Sequence, residues 1–273
     1  MKIIIFLVMT SIYSKIFCQN YVFPFGEPLR KVVQNDTSSK KIFVLGVYAS
    51  AVHAKWLTPE GKILVKAIAV ASEPSIFWRG DSIEAHNIIS KIRIPENLGK
   101  LVPSLDSLNG PSGRSLDSNY LIPLGFNREA AWLCDLVPYS CQNASQKSAL
   151  KRVYDNYILE NKLPQYDIPD VPKILASEDR INEILIELKK SNADTIVLLG
   201  DQPIKYFLSK FSKDYKKLTD FEIYGSPTKV LIDNKMYTVI ALAHPRQVSK
   251  LGSSNNKWYE LHKEWVNNLL KNN

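Results

Sequence analysis

Cysteine is scarce in this chain, with only Cys18, Cys134 and Cys141 among 273 residues. Three cysteines are too few for a disulfide scaffold, and none lies in a CxxC pair or a His/Cys cluster at zinc spacing. A Cys134–Cys141 disulfide would require export. The phosphate-cradling loops GxxxxGK[ST] and GxGxxG and the metal helix HExxH are missing too, which argues against triphosphatase, dinucleotide and zinc-protease chemistry. Long apolar runs are confined to the start, "MKIIIFLVMTSIYSKIFCQN". That segment has the outline of a secretory signal peptide and is too short for a comfortable membrane span. Lys15 and Ile16 make a poor cleavage region, and a start codon chosen too far upstream produces the same pattern. Residues 1–19 are therefore set apart from fold reasoning.

What is present is ordinary globular material: 45% hydrophobic and 23% charged residues, with enough length to bury a sizeable core. Residues 20–273 are read as a single domain. The formal charge of +8, from 35 basic and 27 acidic residues, suits a polyanionic partner as well as simple solubilisation.

Apolar segments of strand length, bounded by turn residues, lie at Lys41–Tyr48, Val65–Ser72, Ala131–Val137, Asp194–Gly200 and Tyr237–Ala243. Several are apolar throughout, as strands covered on both faces are. Helical patterns separate them. "SEDRINEILIELKKSN" offers Ser177 as N-cap, an Ile181/Ile184/Leu185/Leu188 face and lysines in the last turn. "GDQPIKYFLSKF" begins another helix, with Asp201 expected as cap and Pro203 in its first turn. A stripe of Trp258, Leu261 and Trp265 near the C-terminus reads as packing, with His262 at its edge. Residues 79–130, rich in Gly, Pro, Ser and Asn over much of their length, read as a long loop or a small excursion from the sheet. The alternation predicts an α/β fold, a three-layer α/β/α sandwich around a mostly parallel sheet of four to five strands.

In such a sheet the ligand crevice lies beyond the carboxyl ends of the strands. Those ends are polar here: Tyr48, Ser50 and His53, then Glu73 with Phe77 and Trp78, then Asp135 and Tyr139, and finally His244. The ordered pieces "FVLGVYASA", "AWLCDLVPY", "VLLGDQPIKYF" and "LAHPRQVSKLG" resemble the uracil-DNA glycosylase superfamily across roughly residues 41–266. In that family a Gly-containing first loop presses on base and sugar, and an amide at a later strand end reads the base edge. A His-Pro-Ser motif then leads into a loop that intercalates in the minor groove.

The resemblance implies roles residue by residue. His244 stabilises the leaving base, Asp135 stands at the base-reading position, and Tyr48, Ser50 and Phe77 contact the base. Arg246, Lys250 and Lys257 meet phosphates, and Leu251 wedges the emptied stack. Three departures matter. Val47 and Tyr48 occupy the places where the family carries a water-orienting Asp, Asn or Glu, and Ala49 replaces its Pro. Asp135 replaces the base-reading Asn, and Arg246 replaces the Ser after His-Pro. His53, Glu73 or Asp135 is left to take over the water. An ionised Asp135 only accepts hydrogen bonds and suits a base edge of donors; a protonated one imitates Asn, which requires a large upward pKa shift.

Each residue also has a plainer reading: His53 as a local hydrogen-bonding residue, Phe77-Trp78 as core, Asp135 as a turn cap or partner of Arg152. The functional expectation is a base-excision enzyme acting on single- or double-stranded DNA as a monomer, without metal or organic cofactor. The alternatives are a catalytically weak DNA- or base-binding sensor of the same fold, and an exported α/β protein that binds a small ligand. A cytoplasmic location goes with the first, export with the last.

Overall fold

A computed structural model describes residues 21–248 and 256–272. Its strands are β1 (Ile42–Tyr48), β2 (Ala51–Leu57), β3 (Ile63–Ser72), β4 (Lys100–Pro103), β5 (Ala131–Val137), β6 (Thr195–Leu199), β7 (Thr228–Ile232) and β8 (Lys235–Leu242). Its helices are α1 (Ser82–Ile89), α2 (Pro111–Leu116), α3 (Ala144–Val153), α4 (Asp155–Asn161), α5 (Glu178–Ser191), α6 (Asp201–Tyr206), α7 (Pro245–Val248) and α8 (Asn256–Asn272).

The central sheet runs β5-β1-β6-β8-β7. Its first four strands are mutually parallel, and β7 closes one edge antiparallel to β8. The β7–β8 hairpin turns through Asp233 and Asn234, both at positive φ (46° and 65°), as a tight turn with the twist of the strands requires. Every residue of β5 is buried, as is all of β1 except Tyr48, because helices cover both faces. The architecture is a three-layer α/β/α sandwich, as the apolar runs predicted.

The second sheet is a correction. Val65–Ser72 is a strand, but it belongs to a separate antiparallel sheet ordered β3-β2-β4. Its alternating, half-exposed burial is that of a sheet with one covered face. The chain leaves the central sheet at Tyr48 and enters β2 after only residues 49–50. Of the two readings of residues 79–130, the long loop fails and the small excursion holds. These residues hold α1, β4 and α2, and Asn109 ties the segment to β2 by bonding both the N–H and the carbonyl of His53 (2.8 and 2.9 Å).

In α5, Ser177 accepts from the Arg180 N–H and lysines 189 and 190 fill the last turn, as expected. In α6 the cap position falls on Gly200, and the Asp201 carboxylate instead accepts from the Leu218 N–H at 2.7 Å. His262 is not at an edge: it is 2% exposed, inside the core that α8 closes.

Candidate functional site

The strand register sets the geography of the carboxyl edge. Asp135 lies level with Gly46 of β1, and continuing across β6 and β8 the same level passes Leu199 and Leu242. His244 follows two residues beyond Leu242. Asp135 and His244 thus stand three strand positions apart, about 14 Å across the sheet at ordinary strand spacing. The structure keeps them apart and gives each its own surroundings.

At the β5 end, two acids share a buried corner. Asp135 is 3% exposed and Glu73, following β3, is 5% exposed. Burial pushes Asp135 up to about 7, opposed by the charge of Arg180. Burial, with repulsion from Asp135, pushes Glu73 up to about 8, although the backbone N–H groups of Ser50 and Trp78 favour its anion. The position of β5 is fixed by Arg180 of α5, whose Nη2 donates to the Asp135 carbonyl at 2.7 Å and whose Nε donates to that of Leu136 at 3.2 Å. Gly46 makes the corner possible. A Cβ there would come within 2.3 Å of Asp135 Oδ1 and 2.5 Å of Phe77 Cζ, so the carboxyl and the ring close over bare backbone. Phe77 holds a left-handed φ of 51°, a conformation an aromatic residue keeps only where its surroundings impose it. Arg128 supplies part of that restraint: it pairs with Asp117 at 2.5 Å and donates to the Gly113 carbonyl at 2.9 Å, beneath the Phe77–Trp78 backbone. Phe77 is also core, only 8% exposed.

At the β8 end, burial pulls His244 down to about 4, helped by the charge of Arg246, so the ring is neutral at pH 7. The Arg246 N–H donates to Nδ1 at 3.1 Å, which leaves the ring proton on Nε2. A chain of hydrogen bonds fixes the backbone just before it. Tyr120 Oη donates to the Ala243 carbonyl (2.7 Å) and the Ala243 N–H donates to Tyr224 Oη (2.9 Å). Tyr224 in turn meets His262 Nδ1 (2.7 Å), whose Nε2 faces the Asn119 carbonyl (2.8 Å). No local pattern marks Tyr120, Tyr224 or His262 as supports of this strand end, because they come from three distant segments.

The remaining expected residues separate. Tyr48, Ser50 and His53 line a cavity between the second sheet and α3, and Phe77, Asp135 and His244 are not among its walls. Arg246 and Lys257 are exposed beside the β8 end, while Lys250 and Leu251 lie outside the described residues. Among the described residues no cluster of His, Cys, Asp or Glu is arranged to hold a metal. Arg152 is not among the groups that act on Asp135. Neither a protein-family model nor a curated protein sequence matches the chain.

Proposed function

We propose that the chain is a DNA glycosylase-like protein that hydrolyses the N-glycosidic bond of a flipped base. The observation that carries this reading is the pair of neutralised groups on one sheet edge: a buried carboxyl titrating near neutrality against an aromatic ring, and a neutral imidazole with its proton on Nε2. In hydrolysis the sugar–base bond breaks, its electron pair leaves with the base, and water supplies the hydroxyl to the sugar and a proton to the base. The Nε2–H of His244 is a fixed donor for the oxygen on which negative charge grows. Extruding the base costs a few kcal/mol, which Arg246 and Lys257 offset through phosphate contacts.

The pKa of Asp135 makes base choice depend on pH. Protonated, Asp135 donates and accepts as an amide would, and matches an edge bearing one donor and one acceptor, such as that of uracil. Ionised, it only accepts, and matches an amino-bearing edge. Glu73 keeps its own proton up to about pH 8 and is a poor base for water below that.

The test is a cleavage panel at pH 6 and pH 8, on single- and double-stranded oligonucleotides carrying uracil, hypoxanthine, xanthine and modified cytosines, with His244→Ala as control. Cleavage of one lesion, lost in His244→Ala and shifting between lesions with pH, is the expected result. Cleavage unchanged in His244→Ala overturns the reading. Lesion binding without cleavage supports the sensor alternative, which the Val47-Tyr48 first loop favours.

A further inference from the structure

The cavity that holds Tyr48, Ser50 and His53 is a second feature, independent of the sheet-edge reading. It lies between β3, the start of β2, α3 and the loop before α3, with a volume of about 160 Å³. Its walls are largely apolar, with Phe23, Ile68, Leu150 and Ile168 among them, and among the described residues no Asp, Glu, Lys or Arg lines it. In a chain with 62 charged residues among 273 (35 basic and 27 acidic), that selects for an uncharged occupant.

Two of the lining residues each carry a buried polar atom with no hydrogen-bond partner in the protein: Gln142 Oε1 and His53 Nδ1. Gln142 is 8% exposed. Its Nε2 donates to the Ile168 carbonyl at 2.7 Å, and its backbone N–H is held by the Pro169 carbonyl at 2.9 Å. Turning the amide over would set oxygen against the Ile168 carbonyl, so the unpartnered atom is fixed as an acceptor. His53 sits at a register shift between Val52 and His53 in β2, a bulge of the kind that re-aims a side chain. Asn109 clamps its backbone on both sides. Burial lowers the His53 pKa, opposed by the Ala51 backbone carbonyl, which favours a ring proton, so the ring is neutral and its tautomer decides whether Nδ1 donates or accepts. An unsatisfied buried acceptor costs about 1–3 kcal/mol, which a donor carried by an occupant of the cavity would offset.

From these features we infer that the cavity binds one uncharged six-membered nitrogen heterocycle that donates an N–H to Gln142 Oε1 and meets His53 Nδ1 with its neighbouring polar group. The size follows from volume: an apolar cavity of about 150 Å³ admits one benzene-sized ring and no more. Tyr48, 41% exposed, stands at the rim, where an entering ring passes it.

The probe is 2-pyridone, a neutral ring lactam with adjacent N–H and carbonyl, titrated into the full chain by ligand-observed NMR and calorimetry. N-methyl-2-pyridone, which lacks the donor, is the control. Saturable binding of the first and not the second is expected. Gln142→Met, which keeps the volume and removes the acceptor, should weaken binding by about tenfold. Ala149→Phe, entering the cavity from a partly exposed position on α3, should abolish it. In the unaltered chain, nuclear Overhauser contacts from the ring to the methyls of Ala67 and Ala69 locate the probe without any variant. The inference is overturned by no saturable binding up to millimolar probe (the cavity then holds ordered water only), by equal binding of the N-methyl control, or by ring contacts to Phe77 in place of the alanines. Because the probe is free in solution and the cavity shares no wall with Phe77, Asp135 or His244, failure here leaves the glycosylase reading standing, and the reverse.

Discussion

At the β5 end of the sheet edge, burial strips charge from two acids by pushing their pKa values up, Glu73 to about 8 and Asp135 to about 7. At the β8 end the same burial strips charge from His244 by pulling it down to about 4. One physical cause, removal from water, acts with opposite sign on opposite charge types. The result is an edge that is largely neutral between about pH 4 and pH 7 and that becomes anionic at one end only as pH rises. The two ends also depend on different glycines. Gly46 admits two side chains into one space, whereas Gly200 is needed for its backbone, with φ at 90° and a Cβ position 3.1 Å from that of His244.

The sharpest way to break this comparison is to add one methyl group at each end. Gly46→Ala places carbon inside normal contact with both Asp135 and Phe77, at a buried strand position where neither neighbour can retreat. It should cost about 3 kcal/mol, near the top of the range for overpacking. Gly200→Ala meets milder contact and pays instead in backbone strain at φ 90° and ψ −177°, a conformation essentially reserved for glycine, about 1–3 kcal/mol. Urea unfolding of both variants decides it. A Gly200 variant as damaged as the Gly46 variant would mean that the acid corner is no tighter than the histidine end.

Acidity itself gives the next test. Where a folded-state acid pKa is raised, the folded protein holds a proton that the unfolded chain has lost, so stability falls as pH rises from the unfolded value toward the folded one. For Glu73 the window runs from 4.5 to about 8. For His244, lowered from 6.5 to about 4, the unfolded chain holds the extra proton, and stability rises with pH across that window. The two slopes oppose one another between about pH 4.5 and 6.5, and above 6.5 the acids act alone. Glu73 alone should therefore lower stability by about 2 kcal/mol between pH 6.5 and 8, at about 1.4 kcal/mol per pH unit for one group, and Asp135 adds to the fall up to about pH 7. Glu73→Gln should remove most of that fall. A profile that still drops as steeply in the variant would place the titrating group elsewhere.

These groups differ in how far the sequence announced them. The four parallel strands were legible because covering on both faces leaves an unbroken apolar run, and Asp135 and His244 were legible because each ends or follows such a run. β2 was not, since "AVHAKWL" places His53 and Lys55 on a half-exposed face and reads as the polar loop after β1. The short edge strands β4 and β7 pair on one side only and carry too few buried residues to show a period. That Glu73 and Asp135 meet could not be read at all. One follows the antiparallel sheet and the other ends the parallel one, and only the packing of the two sheets, through the turn at Ala49–Ser50, brings Glu73 within range of the charge on Asp135. The support under His244 is hidden for the same reason, being assembled from Tyr120, Tyr224 and α8.

The smallest expected effect concerns the histidine end alone. Burial is the main reason that His244 stays neutral, and the charge of Arg246 adds to it. Arg246 is exposed, so water and salt screen its charge, and its backbone N–H, not its side chain, holds Nδ1. Arg246→Gln keeps that N–H and removes the charge. The His244 resonance followed by NMR should then titrate slightly higher, still well short of 6.5, and added salt should produce a similar small rise in the unaltered chain. A jump to the ordinary histidine range would mean that charge, not burial, neutralises the ring. The symmetry with the acid corner would then fail, because there the largest cause is desolvation at both carboxyls.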